Sequence, residues 1–106
     1  MLDLSINCAG IKSPNPFWLA SAPPSNSAYQ NCKAFEAGWG GTVWKTIGEP
    51  VMNVCNRYGG LELNGQKLLA INNVELISDR DIKTNLREIA ETKRLFPDRA
   101  VITSLM

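Results

Sequence analysis

The stretch from Ala37 to Gly48, A-G-W-G-G-T-V-W-K-T-I-G, constrains the fold more than any other part of the chain. Glycines break its first half, Thr42-Val43-Trp44 then reads as a short buried strand, and Lys45-Thr46 stands at that strand's carboxyl end. An unpaired ammonium is costly to bury inside an apolar strand. Parallel α/β sheets accept polar groups at the carboxyl ends of their strands, where ligands bind. Lys45 is therefore a site candidate. The same spacing also suits a strand-end lysine that reaches solvent.

The segments on either side supply the partners such a strand needs. Phe17-Trp18-Leu19-Ala20 is a continuous apolar run of strand length, as in a strand covered on both faces. It closes on Ser21-Ala22-Pro23-Pro24, small residues followed by helix breakers. These small side chains let a flat ligand approach the backbone, and they equally suit a tight turn. Ser25, Asn26 and Ser27 then offer N-caps, and Ala28, Cys32, Phe35 and Trp39 fall on one helical face, with Gly38 as a C-terminal cap. Strand, helix and strand in about thirty residues predict a βαβ unit with parallel strands. Upstream, Leu4 to Ile11 reads as a small two-stranded cap, separated from the first strand by the Ser13-Pro14-Asn15-Pro16 turn cluster.

Residues 48–77 carry no helical period, yet their apolar content is too high for disorder. The expectation is an ordered loop with a hairpin turning near Asn64-Gly65. At its end, Asn73 offers both donors and acceptors, and Glu75 points the same way if the segment is extended. A carboxamide beside a carboxylate suits a planar ligand with alternating C=O and N–H groups, and an Asn turn with a solvated Glu is the plainer alternative. Ser78 and Asp81 then read as a capping box. Ile82, Leu86, Ile89, Lys93 and Phe96 form one helical stripe, and Ala100 to Ser104 reads as a further buried parallel strand.

Charge and cysteine content exclude several functions. The net charge of +1 is spread along the 106 residues, so no nucleic-acid or membrane-surface tract is expected. No apolar run is long enough to span a bilayer, and the first residues lack the pattern of a signal peptide, which favours the cytosol. Cys8, Cys32 and Cys55 are too few and too far apart for a disulfide framework or a metal clip. The chain has no histidine, which removes Ser-His and Cys-His nucleophile pairs and makes a zinc site improbable.

Three ordered motifs, N-P-F-W-L-A-S-A-P (15–23), A-G-W-G-G-T-V-W-K-T-I-G (37–48) and N-N-V-E-L-I-S (72–78), carry a resemblance. Together they resemble the start of the FMN-binding barrel of dihydropyrimidine dehydrogenases, above all the pyrimidine-site subunit of the bacterial NAD-dependent type. The resemblance implies an α/β fold, the N-terminal fragment (about three β/α units plus a small cap) of a TIM (β/α)₈ barrel. It implies that Ala20, Ser21, Lys45 and Thr46 contact FMN, and that Asn73, Glu75 and Ile77 line the pyrimidine pocket. The implied reaction is reversible reduction of uracil or thymine, with electrons from NADH through a partner flavoprotein subunit and 4Fe-4S clusters in a hetero-oligomer.

Barrels of this type need about 250 residues, so a chain ending at Met106 reads as a segment of a larger enzyme. The family's cysteine-bearing N-x-S-C-P-like motif would lie further on, as would the 4Fe-4S cluster ligands. None of the cysteines stands in such a context, so no catalytic residue is expected among these positions. Two other readings stay open. A dihydroorotate dehydrogenase-type enzyme shares the opening pattern, although Glu75 would repel a carboxylate substrate. A non-catalytic α/β interaction module fits the chain's short length, but would leave long strand edges and an apolar face uncovered.

Overall fold

The computed structural model describes residues 2–51, 57–72 and 76–106. Its elements are β1 (Ile6–Cys8), β2 (Ile11–Ser13), β3 (Trp18–Leu19), a 3-10 turn (Pro23–Ser25), α1 (Ala28–Glu36), β4 (Gly41–Ile47), β5 (Arg57–Leu63), β6 (Gln66–Asn72), α2 (Ile82–Leu95) and β7 (Ala100–Leu105). The fold is mixed α/β. β3, β4 and β7 form one sheet in that order, and both pairs are parallel. Each step along the sheet is made through a helix, and α1 packs against α2. The Phe35 and Phe96 rings meet edge-on with centroids 5.4 Å apart.

β1 and β2 form the expected antiparallel cap, and its last residue ties down the amino ends of the strands. Ser13 Oγ donates to the Gly40 carbonyl at 2.7 Å and accepts the Trp18 indole N–H at 2.9 Å. Asn15 Nδ2 donates to the Gly38 carbonyl at 2.9 Å. Gly40 is demanded by this crowding, because a Cβ there would lie 2.3 Å from the Asn15 carbonyl oxygen. The end of α1 is fixed by a Schellman motif: Gly38 has φ +102°, its N–H donates to Phe35 O, and the Trp39 N–H donates to Ala34 O. Gly38 thus caps the helix as the sequence suggests. Trp39 lies beyond the cap and is exposed rather than on the helical face.

The first strand is shorter than its apolar run: only Trp18 and Leu19 pair, while Phe17 and Ala20 are exposed. β4 runs longer than expected, to Ile47, so Lys45 and Thr46 lie within it. The hairpin falls where the sequence puts it. β5 and β6 pair through Leu63 and Gln66, and Asn64 and Gly65 between them have φ values of 54° and 76°, as a type I′ turn requires.

α2 departs from its expected cap and face. Its N-cap is Asp81, whose carboxylate accepts the Thr84 N–H at 2.7 Å. Ser78 is not part of a capping box but is fully buried three residues upstream. Asn85 and Thr92 are also fully buried, whereas Ile82 and Leu86 are exposed. The polar residues can be buried because their hydrogen bonds are made: Thr92 Oγ1 donates to the Glu88 carbonyl, and Asn85 is bonded on every side.

Two outcomes follow from this fold. Gly40→Ala should destabilise the protein by about 1–3 kcal/mol, read as a lower urea midpoint, because backbone rather than a flexible side chain meets the new Cβ. The Thr84 hydrogen bonds hold the Asp81 carboxyl below its ordinary value of 3.8. Its stabilising contribution is therefore full above that value and is lost as the pH falls through the lowered native one. Asp81→Asn, which keeps the cap without the charge, should flatten this part of an acid-unfolding curve.

Candidate functional site

The carboxyl ends of the three parallel strands carry the candidate site. Pairing between β4 and β7 runs in step from Gly41↔Ala100 to Trp44↔Thr103 and resumes at Ile47↔Leu105. β4 therefore spends one residue more than β7 between these points, so Lys45 and Thr46 share Ser104. This is a bulge, a device that re-aims side chains beside functional sites.

The direction of the side chains follows from Trp44. Its indole N–H donates to Asn85 Oδ1 at 2.9 Å, so Trp44 faces α2. Alternation along the strand sends Lys45 to the opposite face. Unbroken alternation would bring Thr46 back toward the helices. Instead its hydroxyl lies 3.0 Å from Ser104 Oγ and 3.2 Å from Ser21 Oγ, and its N–H donates to Ser21 Oγ at 3.1 Å. Residues from all three strand ends are thereby linked through Thr46.

The loop after β3 is held close by Ser25, whose hydroxyl lies 2.9 Å from the Ala20 carbonyl, and Ala20 itself is exposed. Lys45 is only 7% exposed and engages other parts of the chain. A lysine this buried is not the solvent-reaching strand-end residue that the sequence left open. Ile77 is buried, and its methyl groups lie against Gly48. It arrives there because the Ser78 N–H donates to the Thr46 carbonyl at 2.7 Å. Asn73 and Glu75 lie outside the described residues.

A polar network behind the sheet holds this end in place. Ser78 Oγ donates to Asn26 Oδ1 at 2.7 Å, and Asn85 Nδ2 donates to Ser78 Oγ at 3.2 Å and to the Arg80 and Asp81 carbonyls at 3.0 Å each. Asn85 thus joins β4, the loop before α2 and, through Ser78, the loop after β3. Sequence reasoning missed Asn26, Asn85 and Ser104. Ser104 carried no local signal, because in unbroken register Thr46 would stand level with residue 105.

The other candidate features carry less. A groove of roughly 790 Å³ between α1 and α2 has Arg80, Arg87, Glu88 and Glu91 in its wall. Glu88 is already occupied, paired with Arg80 and accepting the Ala28 N–H. Burial pushes the Cys32 thiol up, which keeps it protonated and a poor nucleophile. Among the described residues no group of three His, Cys, Asp or Glu side chains can hold a metal ion, and no helix is long and apolar enough to cross a membrane.

No protein-family model matches the chain. Individual curated proteins do. The chain is 40% identical over 106 residues to the NAD-dependent dihydropyrimidine dehydrogenase subunit PreA of Escherichia coli, with 98% of the chain covered. It is 39% identical over 112 residues to the chloroplastic NADP(+) dihydropyrimidine dehydrogenase of Arabidopsis thaliana, at the same coverage. The chain is homologous to dihydropyrimidine dehydrogenases. It spans about a quarter (26%) of the length of each of these relatives.

Asn85 should be the most sensitive of the buried polar positions. Asn85→Ala leaves the Trp44 indole N–H without its acceptor and removes one of the donors to Ser78 Oγ. It should cost about 1–3 kcal/mol, measured by urea unfolding with Trp fluorescence as the probe.

Proposed function

We propose that this chain forms the opening β/α units of a flavin-binding (β/α)₈ barrel whose whole protein reduces uracil or thymine to the 5,6-dihydropyrimidine. One observation carries the reading: Ser21 just beyond β3, Thr46 in β4 and Ser104 in β7 converge at the strands' carboxyl ends, where Thr46 follows the buried Lys45. That is the end at which barrels of this architecture bind ligands. The similarity to dihydropyrimidine dehydrogenases supports the choice of substrate class.

The residues present fit FMN. Exposed Ala20 leaves the backbone accessible to a flat ring, and the linked Ser21 and Thr46 hydroxyls leave one O–H to donate to its oxygen or nitrogen acceptors. Lys45 supplies a fixed cation on the same strand as Thr46. Bound flavin would supply the hydride chemistry. The role of Lys45 is electrostatic: a preorganised positive charge favours the negative charge that reduction brings and needs no reorganisation when it arrives. Asn73 and Glu75 would hydrogen-bond the pyrimidine edge, and Ile77, held against Gly48, would wall the pocket. NADH would deliver electrons through a partner flavoprotein subunit and 4Fe-4S clusters in a cytosolic hetero-oligomer; the PreA relative's name supports the NAD dependence and the multi-subunit assembly.

The test uses the full-length protein that contains this sequence. It should purify with bound FMN and reduce uracil, and orotate should compete poorly. Lys45→Met should lower kcat on the order of 10²-fold, with a much smaller change in the KM for uracil. A full-length protein that is colourless with added FMN, or one that prefers orotate, overturns the reading.

A further inference from the structure

The linked hydroxyls have a property that neither Ser21 nor Thr46 has alone. Three hydroxyls carry three protons, and the two O···O contacts, Ser21–Thr46 and Thr46–Ser104, consume two of them. One O–H is left over: it emerges at an end when both bonds run the same way, or at Thr46 when both serines donate to it. If Ser104 donates to Thr46 and Thr46 to Ser21, the Ser21 oxygen accepts both the Thr46 hydroxyl and the Thr46 amide N–H, the latter at 3.1 Å. Both its acceptor positions are then filled, and its own proton points to whatever lies beyond. If the chain runs the other way, the spare donor emerges at Ser104. Chains of this kind act as units, since each bond polarises the next.

We propose that Ser104 is a positioning residue for Ser21 and Thr46: by donating to Thr46 it sets the direction of the three-hydroxyl chain, so that Ser21 presents its O–H to the ligand. This rests on the flavin reading above and extends it to a residue on the third strand. Ser104 reaches Thr46 only through the one-residue bulge in β4, because in unbroken register Thr46 would stand level with residue 105. The bulge therefore builds the chain. The ligand end would be an oxygen or nitrogen acceptor on the flavin ring.

The experiment compares full-length protein with Ser104→Ala and Ser104→Thr, each alone and with Thr46→Val, measuring the FMN Kd, the bound-flavin absorbance spectrum and the flavin midpoint potential. Ser104→Ala should weaken FMN about 2- to 10-fold, the scale of one neutral hydrogen bond. It should also shift the spectrum and potential, while Ser104→Thr should restore all three. In the Thr46→Val background the loss from Ser104→Ala should fall below about 2-fold, since the route to Ser21 is already cut. If Ser104→Ala does not fold, the nearly isosteric Ser104→Thr and Ser104→Val pair makes the same comparison. FMN bound by wild type and by the alanine variant with the same Kd, spectrum and potential overturns this assignment alone. So does an equal loss in both backgrounds, which would mark a purely structural role. Wild-type protein that binds no FMN overturns the functional reading, and this assignment with it.

Discussion

The register of β4 against β7 is the constraint on which the rest of the site depends. Up to Trp44 the two strands keep step, and Trp44 is locked toward α2 by its bond to Asn85. A strand that continued in step would have to return Thr46 to the helix side. The extra residue spares it that return and leaves the Thr46 hydroxyl between Ser21 and Ser104. Fixing one indole and inserting one residue thus decides which side chains line the carboxyl end of the sheet.

What anchors the indole is polar rather than apolar. Under the helices, Phe35, Trp44, Ile47 and Ile77 are accompanied by fully buried Asn85, Thr92 and Ser78. Such groups can be buried only when their donors and acceptors are met, which makes their positions specific where apolar packing would tolerate sliding. Asn85 answers to a strand, a loop and its own helix's first turn at once. That specificity serves a site built from backbone segments far apart in sequence.

The apolar surface lies elsewhere. Leu61, Leu63, Leu68, Leu69 and Ile71 on the β5–β6 hairpin are all exposed, as are Leu86 on α2 and Leu105 on the outer strand. Folded proteins rarely leave apolar groups so concentrated in contact with water, because each costs hydration free energy that a partner surface recovers.

The order of strands and helices, the parallel sheet, the Asn64-Gly65 turn and the Gly38 cap are legible in the chain before it folds. Each is settled within a few residues by backbone sterics, local capping or the alternation of apolar and breaker residues. The sequence also singled out Lys45, since a cation closing an apolar strand stands out locally, whereas Thr46 was marked only by the family resemblance. It took the folded chain to bury Ser78 beside Asn85 rather than leave it capping α2. Only there did Ile82 and Leu86 turn outward, and only there did Ser104 join Ser21 and Thr46. Those outcomes hang on register and on hydrogen bonds between segments up to 58 positions apart. No local pattern encodes a one-residue slip between two strands, because its energy comes from partners that meet only once the chain has folded.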